Sequence, residues 1–341
     1  MSHLYSNEIV FRGHPDKVCD QISGAILTAA MRQDKKTRAG IEVVGGKGKI
    51  FITGEVTTKA ILDVDVIARN VLRRVGYDES KYEVIDNLGK QSHDISIGVN
   101  VGGAGDQGMM FGYACNDTKE LLPKAMVILQ KFAMFYDKLR QEQPDVFYPD
   151  GKAQITGEYN EHRKLIKIKT FLCSYQNCET KRDYSDKVLK QEILRLCSEY
   201  KVKCESILFN PTGKFLKGGF DADAGLTGRK IVVDAYQSFA NVGGGCMNGK
   251  DPTKVDFSAA HMAREIAKTY LKQYKLKWCE VQLSYAIGKP EPLAIYIEGD
   301  RGNITPPTLL YRKCSVRQIN KTLNLESADF EQLAMFGHFT N

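Results

Sequence analysis

The segment Gly13-His14-Pro15-Asp16-Lys17 gathers an imidazole, a carboxylate and an ammonium around a proline at the point where a helix begins. A proline costs nothing there, because the first N–H groups of a helix have no intrahelical partner. Those free N–H groups, with His14 and Asp16 beside them, suit an anion or a divalent metal. Lys250-Asp251-Pro252-Thr253-Lys254-Val255-Asp256 again sets Lys and Asp around a proline at a helix start. If the two segments face each other, Asp16 and Asp256 would hold magnesium between them while Lys250 and Lys254 meet phosphate oxygens. Plain helix capping by aspartate accounts for the same residues equally well.

Two glycine-rich runs bear on the same question. GGCMNGK at 244–250 fits G-x-x-x-x-G-K but continues with Asp251 rather than the Ser or Thr of a nucleotide-binding loop. Its flexible backbone and lysine ahead of a helix still suit phosphate. GAGDQG at 103–108 has the dinucleotide spacing, yet MMFGYACND follows, a strand and turn where that fingerprint requires a helix. Phe215 follows the proline-glycine turn of NPTGKF and is a candidate to stack on a base, against the ordinary reading of a core phenylalanine.

The other reactive residues build no site. Among the 9 cysteines, Cys173 and Cys178, like Cys197 and Cys204, have no histidine at zinc-finger spacing. With no basic-then-apolar leader in MSHLYSNEIVFRG, a cytoplasmic protein with reduced thiols is expected. The composition, 43% hydrophobic and 26% charged, excludes disorder, and no apolar run reaches membrane-spanning length. The net charge of +7 suits a phosphate-bearing ligand. It would also suit weak nucleic-acid binding, but the basic residues of 161–203 are interleaved with acids as on a solvated surface, and no nucleic-acid motif accompanies them.

Helices must carry these motifs. Val18, Ile22, Ala25, Ile26 and Ala29 recur at helical spacing after Pro15, and Ala259, Met262, Ala263, Ile266, Ala267, Tyr270 and Leu271 do so after Pro252. Strands are predicted at 41–44, 50–57, 164–172, 229–236 and 280–287, and a surface connection at 141–151. GKIFITGE at 48–55 returns as GKAQITGE at 151–158, with amphipathic segments before and after each copy, and a weaker third copy surrounds LAIYIEG at 293–299. Such repetition predicts a duplicated unit. The expected fold is α/β (α+β): three similar sheet-plus-helices units related by pseudo-threefold repetition, over 1–98, 99–218 and 219–341.

GHPDKVCDQIS at 13–23, ITGEVTT at 52–58, GKQSHDI at 89–95, GAGDQGMMFGYA at 103–114, FNPTGKF at 209–215, DAGLTGRKIVVDAY at 223–236 and GGGCMNGKDPTKVD at 243–256 resemble, in type and order, the signatures of the S-adenosylmethionine synthetase (methionine adenosyltransferase) family. The resemblance runs from about Tyr5 to Ile297. It implies attack of the methionine sulfur on C5′ of ATP, loss of the whole triphosphate, and cleavage of that triphosphate to pyrophosphate and phosphate. A thioether needs no general base, so such a site must align sulfur with C5′ and stabilise the charge gathering on the leaving oxygen.

By the same resemblance, His14 hydrogen-bonds the leaving-oxygen side while Lys152, Arg229, Lys230, Lys250 and Lys254 neutralise the triphosphate. Asp16 and Asp256 match magnesium positions, and Glu42 a monovalent-cation position, usually potassium. Glu55, Gln91 and Asp106 fall where the family holds or covers methionine, Phe215 where it stacks adenine, and Asp223 near the ribose. A homodimer with shared active sites, with dimers paired again as the larger alternative, is implied as well, with no nucleic-acid or membrane partner. The chain departs from the family at Arg12, usually Glu, at Val242, usually His, and at Phe257, usually Arg. The loop between Asn100 and Gly103 is also shorter. A non-catalytic homologue is the alternative function, opposed by the full set His14, Asp16, Lys152, Lys230, Lys250 and Asp256.

Overall fold

The computed structural model describes residues 2–90 and 102–340. Strands β1 (His3–Val10), β2 (Arg38–Gly46), β3 (Lys49–Thr57), β4 (Glu83–Gly89), β5 (Gly108–Cys115), β6 (Phe147–Tyr159), β7 (Leu165–Asn177), β8 (Lys203–Phe209), β9 (Gly225–Leu226), β10 (Trp278–Tyr285), β11 (Ala294–Gly299) and β12 (Gly302–Asn303) form three four-stranded sheets. The helices are α1 (Pro15–Gln33), α2 (Val64–Val75), α3 (Lys124–Glu142), α4 (Arg182–Glu199), α5 (Ile231–Asp234), α6 (Val255–Gln273), α7 (Thr308–Lys313), α8 (Val316–Leu323) and α9 (Phe330–Phe336).

One topology recurs three times, as the sequence predicts. A long helix leads into an antiparallel hairpin: α1 into β2–β3, α3 into β6–β7, and α6 into β10–β11. In the first two units a crossover helix, α2 or α4, then returns the chain to a parallel strand, β4 or β8. The third unit ends its sheet with the two-residue antiparallel β12 before the short helices α7 and α8.

Each sheet is completed by a strand from elsewhere in the chain. β1 lies antiparallel to β6, β9 to β2, and β5 to β10. The three units are thereby stitched together, and the connections between them run straight through the segments that carry the chemistry.

The side chains explain the layers. Along β2, Ala39, Ile41 and Val43 are buried while Gly40, Glu42 and Val44 face outward, the period-two alternation of a sheet with one core face. α1 is buried around nearly its whole circumference because the sheet covers one side and α9 the other. Gly24 makes that second contact possible: a Cβ there would lie 2.6 Å from the Phe330 carbonyl oxygen.

The tightest approach is between α6 and β5, where a Cβ on Gly112 would lie 1.9 Å from the Ala263 carbonyl carbon. Gly112→Ala should therefore cost about 3 kcal/mol, the upper end for overpacking. The check is the thermal unfolding midpoint, and an unchanged midpoint would contradict this packing.

Three expectations need correction. The matched octapeptides lie on non-equivalent strands, 48–55 on the second strand of its hairpin and 151–158 on the first of its own, so their identity does not mark the repeat even though the fold repeats. The β-branched run at 229–236 is not a strand. Asp234 N–H donates to the Lys230 carbonyl, forming the single turn α5, and tertiary contacts of Asp234 override the propensity of Ile231, Val232 and Val233. The segment 141–151 is a surface connection only as far as residue 146, since β6 begins at Phe147, where Phe147 and Asp150 are buried.

Candidate active site

The residues singled out above fall into two groups at two places along β2. The first surrounds the start of α1. His14 is its N-cap, and its Nδ1 accepts the Asp16 N–H at 3.2 Å. Nδ1 being an acceptor, the neutral ring carries its proton on Nε2, a hydrogen-bond donor. The ring is neutral because burial, then the charge of Lys230, lowers its pKa to about 4. Gly13 is required at this turn, since a Cβ would sit 2.4 Å from the Pro149 backbone.

Asp16 is buried. Its Oδ1 accepts the Leu226 N–H at 2.9 Å and lies 3.5 Å from Arg229 Nε, while Oδ2 takes Lys230 Nζ at 2.5 Å. Lys152, paired in register with Val10, lowers the His14 pKa and Asp223 raises it, so both lie within electrostatic reach of the ring. Phe215 is half-buried on the connection from β8 to residue 218, its carbonyl accepting the Asn177 N–H at 3.0 Å. The same connection closes at Gly219, whose N–H donates to Asp150 Oδ2 at 2.8 Å.

The second group surrounds the start of α6. Lys250 Nζ bonds Asp256 Oδ2 at 2.5 Å, and Lys254 Nζ lies 3.4 Å from Asp251 and 4.0 Å from Glu55. Glu42, on the outer face of β2, has a raised pKa because it is partly buried, with Lys250 pulling it back. The glycine run wraps Asp256: a Cβ on Gly245 would lie 2.1 Å from its carboxylate. Asp106 accepts the Gln107 N–H at 2.7 Å, and the neighbouring Gly105 N–H donates to the Thr253 carbonyl at 3.3 Å. Gln91 and most of the shortened loop, with Asn100 and Val101, lie outside the described residues.

Strand β2 sets the spacing. Val44 pairs with Leu226 beside the first group, and Gly40 bridges to Lys250 in the second. Four residues of strand separate these contacts by about 13 Å. Each carboxylate of the anticipated magnesium pair meets a lysine of its own group, Asp16 with Lys230 and Asp256 with Lys250. Among the described residues no cluster of three metal-ligating side chains occurs. That donor set suits magnesium, which needs only one or two carboxylates when phosphates and water complete its shell.

Sequence reasoning singled out Lys17 but missed its buried partners Asp20 and Asp234. Lys17 Nζ binds Asp20 at 3.1 Å and Asp234 at 2.5 Å, and Asp20 Oδ1 accepts the Gly228 N–H at 3.0 Å. The spacing Lys17 to Asp20 was the one available signal. Two departures find their partners here. Arg12 donates to Gln21 at 2.6 Å and lies 3.5 Å from Asp137 and 3.7 Å from Glu331, so acids of α3 and α9 offset its charge. Phe257 is buried against the rings of His261, Phe330 and His338. Val242 packs against the core beside Met109 and Asp256.

Asp150 was also missed, and it makes a pH prediction. Burial raises its pKa from 3.8 to about 6. A carboxyl whose folded-state pKa is raised binds its proton more tightly when folded, so its contribution is present below about pH 4 and is lost as pH rises through about 6. Asp150→Asn keeps an acceptor for Gly219 and removes that loss. The variant should gain on the parent by up to about 3 kcal/mol between pH 4 and pH 7. Denaturant unfolding at both pH values is the check, and a gain independent of pH would contradict the burial argument.

Comparison with known proteins bears on this geometry. The chain matches the family models described as S-adenosylmethionine synthetase, N-terminal domain, over residues 2–94, central domain over 101–215 and C-terminal domain over 217–341. A protein of Mesoplasma florum named S-adenosylmethionine synthase is 40% identical over 360 residues, covering 99% of this chain and 95% of the relative.

Proposed function

The chain belongs to the S-adenosylmethionine synthetase family, and from this premise we propose that the groups around α1 and α6 are the two halves of its adenosyltransferase site. The activity is transfer of the adenosyl group of ATP to the sulfur of methionine. A sulfur lone pair forms the bond to C5′ as the C5′–O bond breaks, the triphosphate leaves with that electron pair, and a sulfonium results. Water then cleaves the triphosphate to pyrophosphate and phosphate.

The observation that carries the assignment is the pairing of each carboxylate with a lysine at a helix start, Asp16 with Lys230 and Asp256 with Lys250. Such pairs hold cations ready for phosphate oxygens and leave the carboxylates to a metal once the phosphates arrive. His14 Nε2–H donates to the leaving oxygen. Lys152, Arg229, Lys230, Lys250 and Lys254 take up the charge that accumulates on the phosphates, Arg229 being able to grip two oxygens. Phe215 stacks adenine, Asp223 lies near the ribose, and Glu55, Gln91 and Asp106 hold or cover methionine.

The family uses metal ions. Here Asp16 and Asp256 would hold magnesium, which would supply positive charge against the phosphates, and Glu42 would hold potassium. Incubation with ATP, methionine, magnesium and potassium should yield S-adenosylmethionine with equal amounts of pyrophosphate and phosphate. Excess chelator should abolish the reaction, and sodium in place of potassium should slow it. Full activity in chelator would remove the metal assignment.

We assign the protein to a homodimer whose active sites each combine the first group of one copy with the second group of the other. The outer face of the β2–β3 sheet supports this: Val44, Phe51 and Leu226 are each more than a third exposed and lie between the two groups. A contiguous apolar face flanked by charged residues is what an isologous interface buries. One pair suffices for the chemistry, and pairing of dimers would use further faces. Among the described residues no helix is long and apolar enough to cross a membrane, and we place the protein in the cytoplasm.

A further inference from the structure

We propose that Asn248 and His338 are positioning residues for adenosyl transfer, acting through Asp234 to hold the segment that carries Lys250 in register with the segment that carries Arg229 and Lys230. The proposal rests on the adenosyltransferase reading above, and neither residue is placed in contact with substrate.

Asp234 is the node. It is buried, its Oδ1 takes Lys17 Nζ at 2.5 Å, and its Oδ2 accepts from Asn248 Nδ2 at 2.8 Å. Its own N–H donates to the Lys230 carbonyl and its carbonyl accepts the His338 N–H, both at 2.8 Å. One residue, through its side chain and its backbone, thus joins α1, the Arg229–Lys230 turn, the Lys250 segment and the C-terminal residues.

The donors and acceptors run in one direction. Asn248 gives its N–H to an ionised carboxylate, so its Oδ1 must accept, and it does so from His338 Nε2 at 2.8 Å. His338 is neutral, burial holding its pKa far below the ordinary value, at about 3. With the proton on Nε2, its Nδ1 accepts from His261 Nε2 at 3.2 Å. Every member of this chain from His261 to the carboxylate has a partner, which is what a buried polar network must achieve to specify one arrangement.

Asn248 is separated from Lys250 only by Gly249, whose carbonyl accepts the Ile41 N–H at 2.9 Å. Gly249 has φ +71° and its missing Cβ would lie 2.2 Å from the Ile41 carbonyl oxygen. Lys250 is therefore pinned to β2 on one side and to Asp234, through Asn248, on the other. A packing role alone would need no donor at 338 and no amide at 248, and apolar residues would avoid the desolvation of both.

Asn248→Ala leaves the Lys17–Asp234 pair intact. It should lower kcat by about tenfold to a hundredfold, the effect of small misplacement of a reacting or charge-stabilising group, with KM for ATP and methionine within threefold. His338→Gln, which can still donate to Asn248, should keep turnover within threefold, whereas His338→Phe should fall with Asn248→Ala. Amide hydrogen exchange at 249–251 should accelerate about tenfold in Asn248→Ala.

The wild type's product assay tests the underlying reading separately, and the exchange rates test the chain of bonds whatever that assay gives. Wild-type kcat in Asn248→Ala, equal losses in the Gln and Phe variants at 338, or unchanged exchange at 249–251 would each overturn the proposal.

Discussion

Replacing Lys250 by alanine is expected to lower turnover by about 10²- to 10³-fold, the range seen when one preorganised group that meets developing charge is removed, while KM for ATP changes by less than tenfold. The ammonium stands at the head of a helix, next to a backbone bridge to Gly40, and is held at 2.5 Å from Asp256. The charge on the phosphates already attracts it in the ground state, but the share on the leaving oxygen grows only as C5′–O breaks. An interaction that strengthens along the reaction lowers kcat when it is lost. Steady-state kinetics at saturating methionine make the measurement. An unchanged kcat with only a raised KM would place Lys250 in uniform substrate binding.

His14→Ala is expected to cost about 10²-fold in kcat, because on the proposed reading it removes a donor to the leaving oxygen. The tautomer decides which nitrogen donates: Nδ1 is occupied as the acceptor of the Asp16 N–H, so Nε2 is the nitrogen with a proton to offer. The same substitution removes the α1 N-cap, a loss of about 1 kcal/mol, and the fold should survive it. Turnover and unfolding midpoint measured together separate the two effects. Turnover within threefold of the parent would show that His14 is a cap and no more.

Much of the fold was legible because helix periodicity survives burial. The stripes of α1 and α6 and the proline at each start could be read directly, and with them the placement of His14, Asp16, Lys250 and Asp256 at helix mouths. The residues 231–233 misled because β-branched side chains favour strands, whereas the turn there is dictated by Asp234 reaching Lys17 across the fold. The pairing of the stitching strands β1, β5 and β9 was illegible for a related reason, although MMFGYACND itself reads as a strand. A strand's partner is chosen by pairing far along the chain, and β9 is only two residues long. Beyond the Lys17–Asp20 spacing on α1, the buried network of Lys17, Asp20, Asp234, Asn248 and His338 gave no local pattern, since its other members meet only once distant segments have packed. The octapeptide match shows the converse hazard, in which local identity on two strands suggested an equivalence the topology does not have.

In the proposed homodimer the two groups are halves of one site completed between two copies of the chain. His14→Ala carries its defect in the first half and Lys250→Ala in the second. In a mixed dimer of the two variants, one site would combine both defects and the other would combine two intact halves. Random pairing of equal amounts makes half the dimers mixed, each with one intact site of two, so the mixture should recover about a quarter of parental activity. The measurement is the rate of S-adenosylmethionine formation after the two variants are co-expressed or unfolded and refolded together. Recovery near a quarter is the predicted result, and activity no greater than the average of the two variants alone would contradict the account.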